Sequence, residues 1–145
     1  MPRYNKERHD YGTAKEKLLQ TKLQKVLGEE LTATADRYCI FDWESCSSLV
    51  ELKSRRPPYT AEQFSEWLLP SCKADYPTNK RKVFFYYWES GNKLYRLDYD
   101  ADLFKTFKRG CPRYSEQEHL FVPAAVWREV KVEWCPGLNF PPEIY

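Results

Sequence analysis

A mixed α/β domain is the fold class this sequence predicts, and three observations lead to it. Near the N-terminus Leu19, Leu23, Val26 and Leu27 recur at helical spacings of three and four. Further on, short apolar runs are bounded by turn residues, the longest being Lys82-Val-Phe-Phe-Tyr-Tyr-Trp-Glu-Ser, then Gly91-Asn92 and a second run from Lys93. Hydrophobic residues make up 42% and aromatics 17% of the 145 residues, enough for one packed core.

Residues 1–10 form a polar arm in which Arg3, Lys6 and Arg8 outnumber Glu7 and Asp10, and residues 11–145 are expected to be one domain. The helical pattern runs over residues 13–27 and Gly28 ends it. Residues 30–37 alternate as a first strand. Residues 38–56 then read as two strands folded back on each other, and they carry three charged side chains in apolar company: Asp42, Glu51 and Lys53. A charge on an apolar strand must be paired or coordinated to offset its desolvation.

Side chains two apart on a strand share a face, so Glu51 and Lys53 point the same way and Leu52 points into the opposite layer. A reversal at Cys46-Ser47 sets Asp42 directly opposite Glu51. Opposed β-carbons lie about 4.5–5.5 Å apart, a spacing at which two carboxylates can share one divalent cation. Magnesium takes one or two carboxylates plus waters and substrate phosphate oxygens. Asp42, Glu51 and the Leu52 carbonyl are the protein's candidate ligands, with manganese a possible substitute. Lys53 then stands beside a bound water, where three roles are open to it: orienting the nucleophile, helping to deprotonate it, or stabilising the attacked phosphate.

Asp42 followed by Glu51-Leu52-Lys53, on two strands behind an N-terminal helix, resembles the PD-(D/E)xK nuclease superfamily. Phe41 stands where the motif's name has proline. The resemblance implies a restriction-endonuclease-like αβββαβ core, with a mixed central sheet flanked by helices and here a C-terminal extension. It also implies magnesium-dependent hydrolysis of phosphodiesters, with DNA as the expected substrate and a homodimer as the possible assembly. Gly12-Thr-Ala-Lys-Glu16 is similar to the entry helix of the Holliday-junction resolvase branch, in which a glutamate reaches the metal. Glu16 is therefore a fourth candidate, although an acid in a helix's first turn also suits the macrodipole without any function.

Several basic and polar residues are candidates for nucleic-acid contact. Arg55 and Arg56 follow the motif strand directly and precede Pro57-Pro58, which cannot continue a central strand. Thr60 with Gln63 makes a capping box opening a helix whose Phe64, Trp67 and Leu68 form one face and which Pro70 stops. Gln63 is the residue there that the superfamily's active-site glutamine or lysine would match. Lys80 and Arg81 belong to a basic loop, with Lys73, Lys80, Arg81 and Lys82 against Asp75. Asp100 caps a short helix that Gly110 is expected to close, and Lys108 and Arg109 cluster at its end. The run from Val83 to Trp88 is expected to be a central strand covered on both faces rather than a base-stacking platform. Residues 120–122 read as a strand, 124–130 as helical or extended, and the tail from Pro136 as a surface strap.

Composition excludes other chemistries. Net charge is only +2, so the chain is no uniformly basic nucleic-acid coat. The five cysteines contain no Cys-x-x-Cys pair, which argues against zinc and disulfide frameworks and for reduced, mostly structural thiols. With only His9 and His119, histidine-metal and Ser-His-Asp schemes lack their parts. No apolar run is long enough to span a bilayer, and the charged start is no signal peptide, so a soluble intracellular protein is expected. Two alternatives to a nuclease stay open: a non-catalytic nucleic-acid-binding domain on the same fold, and an adaptor whose hairpin charges are paired with one another.

Overall fold

The computed structural model describes residues 6–34 and 41–132, with side chains from residue 17 onward. The described residues divide into two compact units, residues 6–31 with 132, and those within 32–131. In the first unit α1 spans Lys6–Leu27, so it begins within the stretch expected to be a polar arm. Leu19 and Leu23 are fully buried, and Gly28 ends the helix at φ 70° as its amide bonds the Gln24 carbonyl at 2.8 Å. The Gln20 amide donates to the Leu31 carbonyl at 2.7 Å, tying the following segment to the helix.

In the second unit a six-stranded sheet holds β1 (Thr32–Ala33), β2 (Trp43–Glu44), β3 (Ser48–Arg55), β5 (Arg81–Trp88), β6 (Lys93–Asp98) and β9 (Arg128–Val130), in the order β1-β2-β3-β5-β6-β9. The sheet is mixed, because β3 and β5 run parallel while the other neighbours are antiparallel. A three-stranded antiparallel sheet holds β4 (Glu66–Pro70), β8 (His119–Pro123) and β7 (Lys108–Gly110). Short helices α2 (Ser71–Asp75) and α3 (Ala101–Phe104) complete the unit. The succession α1-β1-β2-β3-α2-β5 reproduces the expected αβββαβ order, with β4 inserted ahead of α2.

The hairpin register agrees with expectation: Trp43 pairs with Val50 and Glu44 with Leu49 across the turn at Cys46-Ser47. β5 is indeed a central strand, buried from Lys82 to Trp88, and the turn after it uses positive φ at Gly91 and Asn92. Leu49, Phe84, Tyr86 and Trp88 of the large sheet pack in one cluster with Trp67, Leu69, Leu120 and Val122 of the small one. Trp67 is at its centre, 4.7 Å from Tyr95 and 5.1 Å from Trp88 between ring centroids.

Three expectations are corrected. The capping box forms, with the Thr60 amide donating to Gln63 Oε1 at 2.8 Å, but it opens only a 3₁₀ turn over Ala61–Gln63. The chain then extends into β4 instead of a helix. Phe64, Trp67 and Leu68 suit a helical stripe, while Trp67 and Leu69 suit a strand; pairing of Trp67 with Val122 and of Leu69 with Leu120 decides for the strand. Residues 73–75 of the basic loop expected over residues 73–82 are helical, as the end of α2. Asp100 does cap α3, accepting the Leu103 amide at 3.0 Å, but that helix ends at Phe104 and Gly110 lies in β7 beside β8. Residues 35–40, with the last three positions of the expected first strand, and the tail from residue 133 lie outside the described residues.

Candidate metal and phosphodiester site

β2 and β3 position the acidic pair. The Asp42 amide donates to the Val50 carbonyl at 3.0 Å, one residue out of the register that pairs Trp43 with Val50, and Asp42 Oδ2 accepts the Leu52 amide at 2.9 Å. That bond orients the Asp42 carboxylate toward β3, where it lies within hydrogen-bond reach of Glu51. Glu51 is 4% exposed because its ladder neighbour is Phe84 of the central strand. Burial, and then the Asp42 carboxyl alongside, push Glu51 up to about 8, with Lys73 pulling in the opposite direction.

Lys73 is the residue that sequence reasoning missed. It lies on α2, and its Nζ stands 2.6 Å from Glu51 Oε2 and 5.9 Å from the Phe41 ring centroid. The sequence presents it as one charge in a basic loop. The signal for it is the apolar setting of Leu68-Leu69-Pro70 before it and Ala74 after it, unlike the open surroundings of Lys80.

Lys53 sits two residues beyond Glu51 on the same face of β3, half-buried and level with Tyr86. Burial lowers its affinity for a proton, and the positive charges of Lys73 and Arg55 act in the same direction against the pull of Glu51. The structure thus brings together Asp42, Glu51, Lys53 and the additional Lys73 in one unit. Glu16 lies on α1 outside the residues whose side chains are described.

Among the described residues no group of three or more His, Cys, Asp or Glu side chains gathers to hold a metal. The donor set is two carboxylates in contact, one deeply buried, and two acids held this close resist carrying two charges unless a cation joins them. A pair of this kind fits a hard divalent ion that keeps most of its other positions for water and phosphate.

The basic residues singled out in the sequence fall into different settings. Arg55 ends β3 and hydrogen-bonds the phenols of Tyr86 and Tyr114. Lys80 donates to the Ser45 carbonyl at 2.8 Å and lies 3.4 Å from Glu44, and Arg81 donates to Ser48 Oγ at 2.6 Å. Arg109 is held by Asp75 in a two-pronged contact at 2.8 Å and by Glu118 at 3.2 Å. Lys108 stands 5.7 Å over the Phe121 ring, and Arg56 is half-buried after β3. Gln63 uses its side-chain oxygen in the cap at Thr60. Cys46, Cys72 and Cys111 are free, as expected, but exposed rather than structural.

The sequence matches no protein-family model and no curated protein. Among solved structures it resembles a nuclease from a fusselovirus, with a TM-score of 0.50 over 88% of each chain at 14% sequence identity. At that identity the likeness is one of fold, and it agrees with the mixed α/β architecture of the two sheets. Among the described residues no helix is long and apolar enough to cross a membrane.

Proposed function

We propose that this chain is a metal-dependent nuclease of the PD-(D/E)xK kind that hydrolyses phosphodiester bonds in DNA. The observation that carries this reading is the contact between Asp42 and buried Glu51, with Lys53 on the same face of the strand. The fold shared with a viral nuclease supports it independently.

Asp42 and Glu51, with the Leu52 carbonyl, would hold magnesium, manganese being its substitute. The ion supplies positive charge against a phosphodiester and makes a nearby water more acidic. The Leu52 amide keeps Asp42 aimed at the site. Lys73 balances Glu51 and fixes its rotamer. Lys53, its proton loosened by burial, is suited to moving a proton at the attacking water. A homodimer is the assembly we expect on duplex substrates.

One observation favours a second reading. Lys73 stands 2.6 Å from Glu51, where it balances the buried carboxylate once that group ionises, as a non-catalytic binding or adaptor domain would require. Titration calorimetry with manganese and magnesium, on the intact protein and on Glu51→Ala, separates the two, with plasmid nicking followed on the same samples. The nuclease reading expects binding and nicking by the intact protein and at least a hundredfold loss of nicking in the variant. Failure of the intact protein to bind either ion, with DNA present, leaves the paired-charge scaffold as the correct account.

A further inference from the structure

Five large apolar side chains stand exposed among the described residues, and three of them, Tyr59, Phe64 and Tyr114, line one cavity. They are 50%, 41% and 70% exposed, although each presents an aromatic face that water solvates poorly. The cavity has a volume of about 560 Å³, within the range that encloses a small organic group. Phe64 stacks on Trp88 at 5.9 Å and 25° between planes, and Tyr59 leans on Phe64 at 6.0 Å, so the aromatic wall is continuous. The buried Trp88 indole N–H, on a residue lining the cavity, has no acceptor among the described residues.

Arg55 joins this cavity to the acidic pair. It lines the cavity, bonds the Tyr114 phenol, and follows Lys53 by two positions on the same face of β3. Two strand residues cover about 7 Å, roughly two stacked nucleotide steps of about 3.4 Å. A guanidinium next to stacked aromatic faces complements a nucleotide, with phosphate at the cation and base on the rings.

We infer that the cavity receives an unpaired nucleobase from the strand whose backbone lies along Lys53 and Glu51, with Arg55 holding the neighbouring phosphate. The inference deepens the nuclease reading and rests on it for the position of the backbone. It assigns the substrate class: single strands, or strands locally opened, because a base within continuous duplex remains stacked between its neighbours.

The test uses the full chain in EDTA, so that binding is read without cutting. The probe is a short single-stranded oligonucleotide with one 2-aminopurine moved along successive positions. The expected result is quenching at a restricted set of positions, relieved in Tyr59→Ala and in Tyr114→Ala, each of which weakens binding roughly 5- to 100-fold. Both side chains are largely exposed, and unchanged melting temperatures verify that the variants fold. Unchanged affinity in both variants, with no position preferentially quenched, overturns the inference even if magnesium-dependent cutting that needs Glu51 is observed. Quenching that depends on the tyrosines, in a protein that cuts no strand with magnesium or manganese, upholds the cavity's role as a base site and rejects catalysis instead.

Discussion

Glu51 couples the candidate site to stability. Its ordinary value is 4.5 and its folded value about 8, so between these the folded chain keeps a proton that the unfolded chain has released. Stability is therefore greatest toward the acid end of that window and falls as pH rises through it, on the order of 5 kcal/mol if the whole shift is expressed. In EDTA, melting temperature is expected to decline between pH 5 and 8.5, and Glu51→Gln, which cannot ionise, should flatten the profile. A parallel decline in both proteins would show that Glu51 is not the titrating group. Lys73 tempers this cost, since its ammonium beside the carboxyl lowers Glu51. Lys73→Met should accordingly push Glu51 further up and steepen the decline, an outcome read from the same melts.

At the scale of elements, the parallel register of β3 and β5 explains both chemistry and packing. Glu51, Lys53 and Arg55 alternate onto one face beside Phe84, Tyr86 and Trp88, so each polar group has an aromatic neighbour across the ladder. β4 closes that face from the other sheet through Trp67, which is 4% exposed and touches the rings of Tyr86, Trp88, Tyr95 and Trp127. Trp67→Ala is expected to cost about 3–5 kcal/mol, measured by urea unfolding. A loss below about 1 kcal/mol would mean that the two sheets do not share this core. The expected helix over these residues failed because a capping box determines only where a turn starts, whereas strand pairing with β8 determines the conformation of the residues after it.

For the whole molecule, charge distribution matters more than the net +2. Lys80, Arg81 and Arg109, three of the basic residues singled out for nucleic acid, make hydrogen bonds within residues 32–131. Binding of a single strand should then release few counterions, with a log–log salt slope of about −1 to −2, near −0.7 for each phosphate engaged. Arg109→Ala should leave that slope unchanged and alter stability by less than about 1 kcal/mol, since its pairs are half in solvent. A steeper slope that relaxes in Arg109→Ala would place phosphate at Arg109 after all. Asp42, Glu51, Lys53, Lys73 and Arg55 all belong to this one unit.

The sequence by itself determined whatever depends on neighbours in the chain. Strand alternation and the reversal at Cys46-Ser47 set the pairing of Trp43 with Val50 and of Glu44 with Leu49, and Gly91-Asn92 supplied the positive φ that turns β5 into β6. The aromatic run of β5 announced a strand buried on both faces, and buried it is. Tertiary structure decided whatever depends on residues far apart. Lys73 reaches Glu51 from a helix more than twenty positions on, Arg109 is drawn to Asp75, and Tyr59, Phe64 and Tyr114 meet around one cavity. No local pattern encodes such meetings, because a side chain's periodicity specifies its face but not the partner that the fold brings against that face.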